Sequence, residues 1–291
     1  QSKINLAVVE EMGHDHQGKE IYRWNYETKQ IDKYNIWDDV PLVIKEVENK
    51  IFDKYTFQVS KDKLFNSGIF VPRYFWQTKI QEVGEVAEKN NIQLISVQTL
   101  IDDKVIEVFD GHGSPPAEYK GRGDIPYIRV KDIVNWEIYK DPTSSIPEEI
   151  YLSKKGKNKN LKKEDIVYVR RGSYRIGSVA MLSDYDKEVL LTREILVLRV
   201  IDKNNKYGIT PYYLLYLLSH HLTHLQSKNK ILIETTLPNI ANRWSELLLP
   251  ISKDEKTRND INLKIKSVIE SKWEAIKKLK KIKDELGDLV T

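Results

Sequence analysis

Two kinds of side chain in this sequence are spaced so that they could do chemistry. The first is a run of cations. Between Tyr151 and Arg175 stand nine basic residues (Lys154, Lys155, Lys157, Lys159, Lys162, Lys163, Arg170, Arg171 and Arg175) against only Glu164 and Asp165. This local charge of +7 exceeds the +4 of the whole chain, so the remainder is slightly acidic. A lysine run by itself reads as a solvated loop. Arg170, Arg171 and Arg175, however, bracket a Gly-Ser-Tyr turn between two strand-like runs. Guanidinium forks at a hairpin tip, beside a hydroxyl and an aromatic ring, suit phosphates and base edges. Lys154, Lys155, Lys157, Lys162 and Lys163 are the expected phosphate contacts. Arg171, Ser173, Tyr174 and Arg175 are the expected base readers, with Arg129, Lys131 and Arg193 next.

The second kind is a set of strings that imitate catalytic sites. Val108-Phe109-Asp110-Gly111-His112-Gly113 resembles the metal-binding string of metal-dependent Ser/Thr phosphatases, yet the later Asp-Gly and Gly-Asp-Asn partners are missing. Its Phe-x-Gly-x-Gly also imitates the cofactor loop of adenine methyltransferases. There Ser114-Pro115-Pro116 arrives at once and ends in Ala117, so no loop remains to grip an extruded base. Glu118-Tyr119-Lys120 lies among prolines and glycines rather than on a core strand. His220 and His224 stand one helical turn apart, but His221 occupies the place a zinc protease gives to glutamate. No phosphate-cradling Gly-x-x-x-x-Gly-Lys-Ser/Thr loop occurs. The chain by itself is therefore expected to be non-catalytic, with no metal and no cofactor of its own. Two competing readings stay open: a metal-dependent hydrolase with a site at Asp110 and His112, and a helix-mediated scaffold that uses only the C-terminal segment.

The elements that must position these groups are legible in outline. The 291 residues are 40% hydrophobic and 31% charged, a globular composition long enough for a real core. The longest apolar stretch, Pro211–Leu218, is too short for a membrane helix, and no secretory pattern opens the chain. The absence of cysteine excludes disulfides, zinc-thiolate sites and thiol catalysis. Ile4–Val9 reads as a strand or a buried helix, and Met12–Gly18 as a loop. Asp38-Asp39-Val40-Pro41 predicts a helix from Pro41 with Leu42, Ile44, Val47 and Ile51 as its apolar face. Tyr55–Val59 reads as a strand and Glu82–Asn91 as a helix. Ile92–Val97 reads as a strand or the end of that helix, and a soft boundary falls near Asn90–Leu100.

Beyond it come short β segments punctuated by Gly, Pro and Asp: Val105–Phe109, Ile125–Val130, Asp165–Arg170, Ile176–Leu182, Val189–Leu191 and Ile195–Val200. Pro211–Gln226 predicts one helix. In Asp254–Leu286 the apolar residues Ile261, Ile265, Ile269, Trp273, Ile276, Leu279, Ile282 and Leu286 keep a helical period. So long an amphipathic helix predicts a coiled-coil partner, with packing back on the chain's own N-terminal region as the alternative. Replacing Ile269 and Ile276 with Asp is expected to abolish assembly and spare the fold of the preceding domain. The reading is an α+β protein: a curled mixed β-sheet domain with flanking helices and a long C-terminal amphipathic, coiled-coil-like helix.

The order of the second-half segments carries a resemblance. Gly121-Arg122-Gly123-Asp124-Ile125-Pro126-Tyr127-Ile128-Arg129-Val130-Lys131-Asp132-Ile133 resembles the opening of a DNA target recognition domain. That domain belongs to the specificity subunits of type I restriction-modification systems and to type IIG fused enzymes. Leu161–Val169, Arg171-Gly172-Ser173-Tyr174-Arg175-Ile176-Gly177, Thr192-Arg193-Glu194-Ile195, Tyr212–Leu218, Pro238-Asn239-Ile240 and Leu248–Ile251 follow in the family's order, then the long helix. The match spans about Leu100–Leu286. Val8–Gly18 with Ile36–Asp39 resembles the C-terminal end of an N6-adenine DNA methyltransferase. Phe70-Val71-Pro72-Arg73-Tyr74 resembles the linker of fused enzymes. Ser252-Lys253-Asp254 departs from the Gln-rich step that often follows the exit strand.

The resemblance implies a division into 1–56 (methyltransferase-like end), 57–99 (linker and helical region), 100–252 (recognition domain) and 253–291 (long helix). It implies sequence-specific recognition of double-stranded DNA that directs N6-adenine methylation by a methyltransferase subunit or domain. S-adenosylmethionine would serve the full enzyme, and a restriction nuclease subunit would be a further partner. The setting implied is the cytoplasm of a prokaryote in host defence, away from any membrane.

Overall fold

The computed structural model describes residues 2–15, 17–155, 160–172, 175–231 and 238–288. The chain divides into two units, Gln1–Glu82 and Val83–Thr291. In the first, β1 (Lys3–Ala7) is followed by an antiparallel ribbon, β2 (Tyr22–Asn25) and β3 (Gln30–Ile36), and by α1 (Val40–Glu48). Then β4 (Thr56–Ser60) pairs antiparallel with β1, and Ser60 caps α2 (Lys61–Ser67) by accepting the Lys63 amide. The helix expected at Pro41 is present, starting at Val40, but its apolar face is not buried. Leu42, Ile44, Val47 and Ile51 are all 45% exposed or more, and Val43 is the residue that α1 buries. The two aspartates also divide their work: Asp38 Oδ1 accepts the Val40 amide, and buried Asp39 takes Arg23 and the Glu11 amide. Helix α3 (Gln77–Lys89) spans the division between the units.

In the second unit β5 (Ile92–Ser96) leads into α4 (Val97–Asp102), capped by Ser96, and then β6 (Ile106–Asp110). Next come β7 (Ile125–Ile128), three two-residue strands, β8 (Ile133–Val134), β9 (Glu137–Ile138) and β10 (Ser145–Ile146), and α5 (Glu148–Lys155). The chain continues through β11 (Ile166–Val169), β12 (Val179–Met181), β13 (Leu190–Leu191) and β14 (Ile195–Val200). Helices α6 (Pro211–Ser219) and α7 (His221–Lys230), strand β15 (Leu248–Ser252) and helix α8 (Glu255–Asp288) complete it. All six strands expected after the boundary are present, and the α+β class with flanking helices and a long final helix holds. The β structure is divided among small sheets. One is four-stranded and antiparallel, in the order β12-β11-β14-β6; another is β10-β7-β13, mixed because β13 runs parallel to β7.

The four-stranded sheet is the wall between two cores. Strand side chains alternate between faces, and here both faces are buried. Ile166 and Tyr168 of β11 with Leu196 and Leu198 of β14 point into a core shared with α6, where Tyr213, Leu214, Leu217 and Leu218 are buried. Val167, Val169, Ile195 and Val197 point the other way, against Ile128, Ile133, Leu182 and Leu191. This two-sided burial explains why these strands read as unbroken apolar runs.

Two helical expectations are corrected. Pro211–Gln226 is two helices, because His220 takes an extended ψ of 142° and caps α7, its Nδ1 accepting the Leu222 amide. His220 and His224 therefore do not share a helix face. The apolar stripe of α8 also does not serve one partner. Ile269 is 2% exposed in the core, and Ile261, Ile265 and Trp273 pack at its edge, whereas Ile276, Leu279, Ile282 and Leu286 are exposed. At about 100° per residue, the steps of four up to Trp273 rotate slowly and stay on the domain. The following steps of three each swing the stripe back by about 60°, which brings Ile276 between Ile265 and Ile269 and Leu279 into line with Ile261, so only Ile282 and Leu286 turn past the packed face. The Ile269→Asp change would thus strike the core rather than spare it.

Candidate nucleic-acid interface

Strand β11 carries the basic segment to two different places. Its antiparallel neighbour β14 sets Ile195 opposite Val169, and β6 sets Asp110 opposite Leu196. The C-terminal ends of β11 and β6 and the entry to β14 therefore meet at one end of the sheet. Asp110, Arg170, Arg171 and Arg193 gather there. Arg170 Nη1 lies 2.8 Å from Asp110 Oδ1, and its Nη2 donates to the Arg193 carbonyl at 3.2 Å. Arg171 and Arg193 are exposed, and Arg171 forms an antiparallel bridge with Asn239.

The flanks of the expected turn follow. The Arg175 amide donates to the Gly172 carbonyl at 3.3 Å, and the Gly172 amide donates to the Pro238 carbonyl at 3.0 Å. Gly172 has φ 114°, a left-handed backbone that a side chain would strain, and a Cβ there would press on Val130 at 3.1 Å. Arg175 is half-buried. Ser173 and Tyr174 lie outside the described residues, as does Lys157.

Lys162 and Lys163 sit at the other end of β11, with about 10 Å of strand between. A structural ion pair anchors that end. Arg199 Nε and Nη2 each donate to Asp165 at 2.7 Å, and Nη1 reaches Glu107 at 2.8 Å. Asp165 is buried, and its hydrogen bonds hold the Arg199 guanidinium above its ordinary value. Lys162 is exposed, whereas Lys163 lies over the Trp273 ring. Lys154 and Lys155 close the last turn of α5, a favourable place for cations at the negative end of the helix dipole. The loop expected at these two residues is thus helix, and Lys155 Nζ rests 5.3 Å from the Tyr151 ring centroid.

Arg129 and Lys131 belong to a third cluster. Both reach Asp141 Oδ2, at 2.7 and 3.1 Å, and Arg129 also pairs with Asp132. The Thr143 hydroxyl, then Lys131, hold the Asp141 carboxyl well below the usual carboxylate range. The expected site residues are therefore not one continuous patch. Arg171, Arg193 and the turn of Arg175 are assembled by β11 and β14, and the remaining cations lie elsewhere. Sequence reasoning named Arg170 only as a flank of the turn, Asp110 only as a candidate metal ligand, and Asn239 only as part of the family's segment order.

The hydrolase alternative does not assemble. Asp110 is engaged by Arg170, and buried His112 accepts the Leu191 amide on Nδ1 at 3.0 Å. Among the described residues no three His, Cys, Asp or Glu side chains gather to hold a metal ion. Among them, too, no helix is long and apolar enough to cross a membrane.

Residues 101–271 match the family model of the type I restriction modification DNA specificity domain, more than half of the chain. The chain belongs to that family. Among solved structures it is similar to the S subunit of a type I restriction-modification system from M. genitalium. Identity there is 17%, with TM-score 0.42, over 66% of this chain and 43% of that one. The HsdS subunit from Thermoanaerobacter tengcongensis is 12% identical with TM-score 0.39, over 67% of this chain and 44% of that one. The type IIG restriction endonuclease BpuSI is 13% identical with TM-score 0.41, over 78% of this chain and 33% of that one. The chain spans less than half the length of each of these three. No curated protein matches it.

Proposed function

We propose that this chain reads a specific double-stranded DNA sequence for a restriction-modification system and directs N6-adenine methylation by a methyltransferase subunit or domain. The observation that carries the reading is the convergence of Arg170, Arg171 and Arg193 at one end of a rigid sheet within a DNA specificity domain. Base contacts need side chains fixed by the scaffold, and phosphate contacts need only reachable charge. Arg171, Arg193 and Arg175 with Ser173 and Tyr174 take the first role. Exposed Lys154 and Lys162, with Lys155 and Lys157, take the second. Arg129, Lys131 and Lys163 join only by leaving their present partners.

In this reading residues 1–56 are the end of a methyltransferase-like region, 57–99 a linker, 100–252 the recognition domain and 253–291 an assembly helix. The break between units at Glu82/Val83 falls within that linker and supports the division. Val268, Ala275, Leu279, Ile282 and Leu286 support a coiled-coil role for α8: all are exposed, at spacings of a heptad seam centred about 110° around the helix from Ile269 and next to the line of Ile261. S-adenosylmethionine belongs to the methyltransferase partner, a nuclease subunit is a further partner, and the system works in the cytoplasm.

Selection by the full chain from a library of duplexes with a randomised core tests the reading. Enrichment of one sequence, with affinity that falls linearly in log salt, is expected. A library returned unchanged would sink it.

A further inference from the structure

One group at the arginine end of the sheet has the wrong charge for a phosphate-binding surface. Asp110 is the last residue of β6, and its carboxylate pairs with Arg170 at the sheet end that also carries Arg171 and Arg193. It is not a buried counter-ion: its side chain is 53% exposed, against 20% for Arg170. It is also held firmly. Its backbone is paired with Leu196, the next amide (Gly111) donates to the Ile195 carbonyl at 2.9 Å, and the Gly113 amide donates to the Leu191 carbonyl at 3.0 Å. Arg170 grips Oδ1 at 2.8 Å and is itself braced by the Arg193 carbonyl. Its own backbone is fixed on both sides, the amide donating to the Glu194 carbonyl and the carbonyl accepting the Ile240 amide. Among the described residues, Oδ2 has no hydrogen-bond partner.

We infer that Asp110 is a specificity-determining residue that reads an exocyclic amino group, foremost the N4 amine of cytosine, in the DNA major groove. The inference rests on the DNA-recognition reading above. A carboxylate only accepts hydrogen bonds, and phosphate oxygens, being acceptors themselves, repel it. On an exposed base edge it can engage only the amino groups of cytosine and adenine, and cytosine offers no competing acceptor beside its amine. Arg170 fixes one oxygen, so the other is presented without a further loss of rotamer freedom. The pair therefore adds affinity on the selected sequence alone and none for DNA in general.

The test is selection from the randomised duplex library by the full chain as wild type, Asp110→Ala and Asp110→Asn. The wild type is expected to enrich a sequence with an amino-bearing base, cytosine before adenine, at the position read by Asp110. Asp110→Ala should lose preference at that single position, with affinity for the wild-type sequence down roughly five- to a hundredfold. Affinity for scrambled duplexes should be unchanged or slightly higher. In Asp110→Asn the amide oxygen keeps the bond to Arg170 and turns an amine outward. Acceptor becomes donor, so preference should move away from cytosine towards bases that offer an acceptor there: guanine O6 and N7, thymine O4 or adenine N7. Enrichment of the wild-type sequence unchanged by both variants overturns the inference, as does an equal loss on specific and scrambled duplexes, which would make Asp110 only a brace. A wild type that enriches nothing overturns the DNA-recognition reading, and this assignment with it.

Discussion

The ammonium group of Lys163 lies 5.0 Å from the centroid of the Trp273 ring, and this contact ties the entry of β11 to α8. It is one of several cationic ties along that helix. Lys272 Nζ reaches Glu137 Oε1 at 3.0 Å and the Asn135 carbonyl at 2.9 Å, and Lys280 lies over the Tyr185 ring. Below Trp273 the helix is fastened by apolar packing, with Ile269 in the core. From Lys272 onward, lysines continue the attachment. A residue expected to face phosphates thus does structural work, and the long helix leaves the domain held on one side and free on another.

Those two sides give separable outcomes. Ile269→Asp places a carboxylate in the core and is expected to cost more than about 4 kcal/mol, seen as loss of the cooperative melt of the second unit. Leu279→Asp with Ile282→Asp alters only exposed positions, so the melt should stay within about 0.5 kcal/mol of wild type. The same double change should abolish assembly with the methyltransferase, measured by sedimentation velocity. Survival of assembly would refute the seam on that face.

The two kinds of cation should also separate by salt. Replacing Lys154 or Lys162 with Ala is expected to weaken binding to every duplex alike and to lower the salt slope by roughly 0.9 per lost contact. Arg171→Ala should cost about 1–3 kcal/mol on the selected sequence and little on a scrambled one. Titrations of both duplexes at two salt concentrations measure this. Equal losses on both duplexes for Arg171→Ala would make it another phosphate contact.

How much of this was legible depends on what each pattern averages over. Ile166–Val169 and Ile195–Val200 announced themselves because burial on both faces leaves an unbroken apolar run. The strands Ile133–Val134, Glu137–Ile138 and Ser145–Ile146 are too short to show any period. The break at His220 carries no familiar helix-start residue, since an imidazole does the capping. The exposure of Leu42, Ile44 and Val47 contradicts the rule that an apolar face is a buried one. For the interface, counting charges located the segment, but a strand has two ends, and only the pairing of β11 with β14 and β6 shows which arginines meet. The contact between Asp110 and Arg170 joins residues sixty positions apart, and nothing local encodes it.

Gly111 makes that meeting possible. A Cβ at Gly111 would fall on the Thr192 carbonyl oxygen, so only glycine lets the end of β6 approach the entry of β14. Gly111→Ala is expected to destabilise the second unit by about 1–3 kcal/mol and to push Asp110 away from Arg170. Selection from the duplex library should then lose the position assigned to Asp110 before it loses the others. A Gly111→Ala protein with unchanged melt and unchanged selection would show that the strands part easily there.

Acid should loosen the junction of α6 and α7. Burial, then the neighbouring charge of His221, lowers the pKa of His220 from 6.5; burial, then Lys228 and His221, lowers that of His224. A group that is harder to protonate when folded costs nothing while both states are neutral. Below about pH 6.5 the unfolded chain takes up the protons first, so stability falls as pH drops towards the lowered folded values. Protonation at Nδ1 would also end the hydrogen bond from the Leu222 amide that caps α7. His220→Asn keeps a capping acceptor without a titrating proton and should stay within about 1 kcal/mol of wild type at pH 7.5. It should also lose less stability than wild type between pH 7.5 and pH 5.5, whereas His220→Ala, which removes the cap, should already be weaker by about 1 kcal/mol at pH 7.5. Urea melts of the three proteins at both pH values decide it. Equal acid losses for wild type and His220→Asn would place the titration elsewhere.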